Sequence, residues 1–265
     1  MRIPITRPDE RLLCILFHNR DDFVTFAEQT EDLSGAAHHI SGYFSPRFDW
    51  VVYFDPDDSA DIGEAVRSIE AAEADIEEAR ERGVDQDRLD EATESVDAAR
   101  EHIQSEARAR RTAVTIHEAV HQLVHNGLAF PGRGNWPAWL HEGLAVAFET
   151  DAHRKPFGPD RDYPSRSNGF ATALKTSTHI PLPQFLELNE IHHQDGAHVG
   201  VIYDQAGSLV SWLYRRRRPQ LLEFLQEAGI PDADGTVPPI ATQFTKIFGS
   251  TKDIERYWHA DSLRD

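Results

Sequence analysis

The sequence predicts an α+β protein, and three observations carry the prediction. Short apolar runs bounded by turn residues fall within residues 1–56, as strands do. After them, apolar residues recur at three-four spacing over most of the chain, the period of helices buried on one face. Residues 57–111 differ from both: they are rich in Ala, Glu, Asp and Arg, contain no Phe, Trp or Tyr, and carry a turn signal at Gly83. A chain of 265 residues, 40% hydrophobic with 14 Phe and 5 Trp, has enough apolar material for a substantial core. The expected organisation is a small sheet unit over 1–56, an inserted helical hairpin over 57–111, further helices and loops over 112–200, and a helical subdomain over 201–265.

In the first unit Leu12–Phe17 reads as a strand, Asp21–Glu31 as a helix capped by Asp21 or Asp22, and Trp50–Phe54 as a second strand. Gly42–Asp49 reads as part of a hairpin, with Ser45-Pro46 marking the turn. Cys14 lies among Leu12, Leu13, Ile15 and Leu16, so a buried thiol is expected. As the single cysteine it excludes an intramolecular disulfide and a cysteine-based metal site within one chain. In 57–111, Ile62, Val66, Ile69 and Ile76 before Gly83, and Leu89, Val96 and Ile103 after it, mark two amphipathic helices that would form an antiparallel coiled-coil hairpin. Its narrow seam fits an arm packed on itself. Such an arm is either a spacer or a surface for a protein partner or self-association.

The chemistry gathers in Thr112–Glu149. His117-Glu118-Ala119-Val120-His121 is an H-E-x-x-H pattern. Two His four apart on a helix sit about 40° apart around its axis, so both imidazoles can reach one ion, and Glu118 leans to the same side. The pattern falls where a helix is expected, since Ala113, Ile116, Val120 and Leu123 form an apolar stripe and Asn126-Gly127 supplies a stop. Glu142 follows His121 after twenty intervening residues, on a second expected helix with Asn135 as N-cap and Pro137 near its first turn. Gly143 beside it is expected to let this helix pass close to the one bearing the histidines. His125 and His141 are poorer ligand candidates, because one continues the stripe a turn too far and the other points about 100° away from Glu142.

H-E-x-x-H followed by Trp139-Leu140-His141-Glu142-Gly143-Leu144-Ala145 resembles the gluzincins, zinc metallopeptidases whose third ligand is a Glu on the following helix, and most closely the peptidase-MA-like bacterial proteins. The resemblance covers about 110–150 and loosens toward the C-terminus. It implies a zincin-like fold, Zn2+ held by His117, His121 and Glu142, Glu118 as general base, and a peptide or protein as substrate. The metzincin pattern is absent, with Val124 where its glycine would fall and Gly127 where its third His would fall. The G-A-M-E-N signature of gluzincin aminopeptidases is absent too, which speaks against an exopeptidase. By the same resemblance, the hairpin of Tyr43–Phe54 borders the cleft and either receives an extended peptide by strand addition or is an ordinary core hairpin.

Beyond Glu142, Glu149 lies seven residues on, where a carboxylate can reach the far side of a ligating imidazole. Thr150–Thr178 reads as a loop in which Arg154, Lys155, Arg161 and Arg166 are solubilising charge, a cleft rim or an ordered lid. Pro181–Glu190 and Ile202–Tyr214 are expected helices, Arg215–Arg218 before Pro219 a cationic helix end, and Leu221–Ala228, Ile240–Phe248 and Asp253–His259 further helices. Tyr203-Asp204-Gln205-Ala206 resembles the helix that follows the active site in the peptidase-MA-like proteins. Amide hydrolysis develops an oxyanion, and Tyr203 is the candidate donor to it, with His192, His193 and His198 behind it.

A formal net charge of −18 argues against nucleic acid as a partner, the four-arginine run notwithstanding. No stretch approaches the 18 apolar residues of a membrane span, and Leu12–Phe17 is too short for a secretory leader, which favours a cytosolic chain over the mature piece of an exported one. The expected function is zinc-dependent hydrolysis of peptide bonds. The alternative is a catalytically idle zincin-like protein that binds a partner through its arm.

Overall fold

A computed structural model of the chain describes residues 11–31, 33, 36–55, 59–127, 130–152, 154, 156–161, 163–189 and 196–264. The fold is α+β and mostly helical, with one three-stranded sheet among the described residues. Strand β1 (Leu13–Phe17) leads into α1 (Arg20–Glu31), a 3-10 turn spans Ala36–His39, and β2 (Gly42–Ser45) and β3 (Trp50–Phe54) form the hairpin. The order is β1-β3-β2, with β1 parallel to β3 and β2 antiparallel to it, Tyr43 opposite Val52 and Ser45 opposite Trp50. The sheet packs on α1 through Phe23, Val24, Ala27, Val52 and Phe54. Helix α1 starts one residue earlier than expected and its cap is Asn19, whose side chain accepts from the Asp22 N–H while its amide donates to the Asp22 carboxylate, both at 2.8 Å. Asp22 is thus the partner of the cap. Cys14 is exposed, against expectation. It sits on an edge strand whose Ile15 and Phe17 are the residues turned to the α1 side.

Helices α2 (Ala60–Glu81) and α3 (Gln86–Gly127) follow, reversing at Gly83, whose positive φ of 73° suits glycine. They run antiparallel: Arg110 donates to both Asp61 carboxylate oxygens at 3.0 and 2.7 Å, and Arg100 pairs with Glu73 further out. Ile62, Ile69 and Leu89 are buried in the seam, whereas Val66 stays 39% exposed, so the apolar strip is thin. Helix α3 has 42 residues and is therefore about 63 Å long. It carries both the second leg of the hairpin and His117 and His121, so the expected boundary between 111 and 112 falls inside one uninterrupted helix.

The remaining α-helices among the described residues are α4 (Ala138–Val146), α5 (Pro164–Thr176), α6 (Leu182–Phe185), α7 (Gly196–Glu227), α8 (Ile240–Phe248) and α9 (Thr251–Ser262). Their core is aromatic, centred on Trp139, Phe170, Phe185, Phe224, Phe244 and Trp258. Several expectations change here. Helix α4 begins at Ala138 with Pro137 at the capping position, and Asn135 instead donates its amide to the Gly229 carbonyl at 2.8 Å. The stretch read as a loop contains α5, with Pro164 in its first turn. Helix α6 is a single turn, shorter than 181–190, and Glu190 lies outside the described residues. Helix α7 runs on to Glu227 across a break at Arg217 (φ −140°, ψ 34°), two residues before Pro219, where a helix end was expected. No helix among the described residues is long and apolar enough to cross a membrane.

Helix α4 meets α7 through glycines. A Cβ on Gly143 would stand 2.7 Å from Val210 Cγ2 and 2.8 Å from the Ala206 carbonyl oxygen, and one on Gly207 would overlap Val146. Gly143 therefore serves the approach of α4 to α7, not to the histidine-bearing helix. Gly143→Ala should lose about 1–3 kcal/mol in urea unfolding through overpacking, although alanine is the better helix former by about 1 kcal/mol. Gly200→Ala, on the same α7 but facing open space, should be neutral or gain up to about 1 kcal/mol. Equal effects at the two positions would show that the contact with α7 does not decide.

Candidate metal centre

His117 and His121 stand one turn apart on α3, with their ring centroids 4.9 Å apart and edge-to-face. The Gln122 amide donates to the Asp49 carbonyl at 2.9 Å and the Asn126 amide to the Asp49 carboxylate at 2.6 Å, tying this end of α3 to the β2–β3 turn. Glu142 comes from α4, whose Trp139 and Leu140 are fully buried and fix its rotation. His117 Nε2 lies 3.0 Å from Glu142 Oε2 and 3.2 Å from His121 Nε2, and His121 Nε2 lies 3.5 Å from Glu142 Oε2. The three expected ligands thus converge, all three donor atoms lying within 4.8 Å of one another.

These distances fit a divalent cation. Donors held at 2.0–2.1 Å around a tetrahedral ion lie about 3.3 Å from each other, close to the edges of this triangle. The electrostatics agree. Burial opposes a charge on His117, yet Glu142 and Glu149 on either side outweigh it and push its pKa up to about 10. Burial equally disfavours the Glu142 carboxylate, and His121 and His117 still hold it well below the usual range. The pocket therefore favours positive charge where the three donors meet, and a bound cation would take the place of the proton.

Glu118 lies beside the triangle, buried, and burial raises its pKa against the pull of His117 and His121. That direction suits a proton acceptor working near neutrality. Gly42 of β2 makes room for it: a Cβ there would come 3.3 Å from Glu118 Cγ and 2.9 Å from Tyr53 Cβ. Tyr203, from α7, has its ring 5.8 Å from that of His117, and burial first, then Glu142 and Glu118, keep its hydroxyl protonated far above the ordinary range. An open cleft of about 950 Å³ runs over the cluster, lined by Gly42, Tyr43 and Phe44 of the edge strand and by Phe130, Trp136 and Tyr203.

Glu149 reaches His117 from behind, its Oε1 accepting from Nδ1 at 2.8 Å. With Nδ1–H so engaged, Nε2 is the nitrogen presented to the ligand triangle. The contact comes from the turn after α4, not from a continuation of that helix. Two further residues belong to the arrangement. Arg166 of α5 donates to both Glu149 oxygens, at 2.7 and 2.9 Å, and to Asp204 of α7 at 3.1 Å. The sequence placed Arg166 in a cationic loop cluster and attached no role to Asp204. Only the fold brings them together.

Of the other histidines, His125 packs its ring on Phe44 at 5.3 Å and His141 on Trp136 at 5.4 Å. Burial and then His121 lower the His141 pKa, as for a neutral packing residue. His198 lies on α7 outside the ligand triangle, while His192, His193 and Lys155 lie outside the described residues.

Residues 111–161 match a family described as "Protein of unknown function (DUF1570)". The matched stretch runs from within α3 through α4 to the loop before α5, and so includes His117, Glu118, His121, Glu142 and Glu149. No curated protein and no solved structure matches the chain.

Asp204 supplies a pH signature. Burial lifts its carboxyl to about 6 even though Arg166 pulls the other way. Its folded pKa exceeds the unfolded value of about 3.9, so the native state holds more protons between pH ~4 and ~6. Its contribution to stability therefore grows as pH falls through that window and is lost as pH rises. Thermal unfolding with chelator present, from pH 7.5 to 4.5, should show the wild type gaining stability relative to Asp204→Asn on acidification. Parallel curves would remove this assignment.

Proposed function

We propose that the chain is a zinc-dependent hydrolase of peptide bonds with a zincin-like, gluzincin-type core. The observation that carries the reading is the convergence of His117 Nε2, His121 Nε2 and a Glu142 oxygen from two helices, beside Glu118 and under an open cleft. A zinc ion held by these three residues would polarise the substrate carbonyl and make a water acidic enough to attack at neutral pH. Glu118 takes the proton of the attacking water and later delivers it to the leaving amine. Tyr203 keeps its proton, so its hydroxyl can donate to the oxyanion as the carbonyl becomes tetrahedral. The edge strand β2 beside the cleft supports an extended peptide as the substrate, aligned by main-chain hydrogen bonds.

Three protein donors, and not four, gather at the centre among the described residues, which favours catalysis over a closed structural site. The α2–α3 hairpin is read as a coiled-coil arm offered to a protein partner. Its continuity with the metal-binding helix would hold that partner at a fixed distance from the cleft.

Two substitutions test the reading. Glu118→Gln should retain one zinc per chain by metal analysis and lose at least about 100-fold in cleavage of an unfolded protein substrate. Tyr203→Phe should leave zinc content and KM near wild type and lower kcat by about 100-fold. A wild-type protein that holds zinc yet cleaves no peptide or unfolded protein over a broad range of conditions would favour the idle binding module.

A further inference from the structure

Behind the His117–His121–Glu142 triangle a chain of charged groups links four separate segments, α3, the turn after α4, α5 and α7. His117 Nδ1 faces Glu149 Oε1 at 2.8 Å. Arg166 Nη2 donates to that same oxygen at 2.9 Å, Arg166 Nε donates to Glu149 Oε2 at 2.7 Å, and Arg166 Nη1 donates to Asp204 Oδ1 at 3.1 Å. The Glu149 side chain is 4% exposed, so it has little recourse to water for its alignment. Space is reserved for the far end of the chain: a Cβ on Gly169, one turn along α5 from Arg166, would overlap the Asp204 carboxylate.

We propose that Arg166 is a positioning residue for the metal centre: its guanidinium fork sets the plane of the Glu149 carboxylate, and through it the tautomer and tilt of the His117 imidazole. The inference rests on the zinc reading above. A carboxylate on a glutamate side chain rotates freely about its last bond, and a single hydrogen bond to His117 does not stop it. Two parallel N–H donors in a rigid plane do. Asp204 holds the third guanidinium corner, so the fork is itself fixed from α7. A lysine at 166 would bring the charge without the plane, and this separates orientation from simple charge neutralisation.

The test is a mutant cycle read as Zn2+ affinity against a chromophoric chelator, with the visible spectrum of the Co2+-loaded protein reporting ligand geometry and circular dichroism confirming the fold. Arg166→Met and Arg166→Lys should each weaken Zn2+ binding by about 10- to 100-fold, the range seen when a partner of a ligating histidine is lost, and should shift the Co2+ bands. In a Glu149→Gln background either change should cost less than about threefold, because Arg166 acts through Glu149. Arg166→Lys binding within about threefold of wild type would overturn the proposal in favour of charge alone. So would an equal loss in both backgrounds. Where Arg166→Met does not fold, the lysine variant decides. A wild-type protein that binds neither Zn2+ nor Co2+ sinks the zinc reading as well, whereas wild-type binding with indifferent Arg166 variants sinks this inference alone.

Discussion

The structure turns on a buried concentration of negative charge. Glu118, Glu142 and Glu149 close around His117 and His121, and Asp204 adds a fourth carboxylate one step behind. Carboxylates removed from water are tolerated only when paired or hydrogen-bonded. Here the balance comes from Arg166 on one side and from whatever positive charge occupies the junction of the three donors on the other. Without metal that charge is a proton on His117, held up to about 10 by its two carboxylate neighbours. A divalent cation at that junction would offset the same negative charge.

Such a balance needs its partners delivered from different directions, and the fold does this with rigid pieces. Helix α3 supplies His117, His121 and Glu118, anchored to the β2–β3 turn through Gln122 and Asn126. Helix α4 supplies Glu142, and its fully buried Trp139 leaves it little freedom to rotate. The glycine contacts between α4 and α7 then bring Tyr203 and Asp204 within range of the same centre. Since no single element holds the cluster, binding of an ion would stabilise the assembled form over the unfolded one.

The legible part of this arrangement lay in short-range patterns. The H-E-x-x-H spacing is a helical repeat, so the pairing of His117 with His121 follows from geometry. Glu142 could be named because the segment around it resembles a known family. Glu149 was within reach because its separation from Glu142 kept it on the same side, though it arrives from a turn and not a helix. Arg166 was not legible. An arginine among Pro, Gly and other cations has no periodicity to betray its partners, and α5 opens on Pro164 and carries Gly169, residues that read as loop. Cys14 misled for a related reason: apolar neighbours in sequence do not say which strand lies at the edge of a sheet. Helix α3 hid the opposite way, since a change of composition near 111 imitates a boundary that the backbone does not make.

The four residues Tyr203 to Ala206 show how much one buried helix can carry. Successive side chains on a helix point about 100° apart, so four in a row survey the whole circumference. Tyr203 lines the cleft, Asp204 meets Arg166, and Gln205 accepts from the Ile180 N–H at 2.9 Å while donating back to the Ile180 carbonyl at 2.6 Å. Ala206 lies against Gly143 of α4. A helix with one apolar stripe and one wet face has no use for such a sequence, whereas a helix enclosed by the cleft, α4, α5 and the segment before α6 needs a different residue type toward each neighbour. The polar residues inside it are therefore no dilution of the core: each is turned to a partner of its own, and any rotation of α7 would misplace the cleft, the charge network and the α4 contact together.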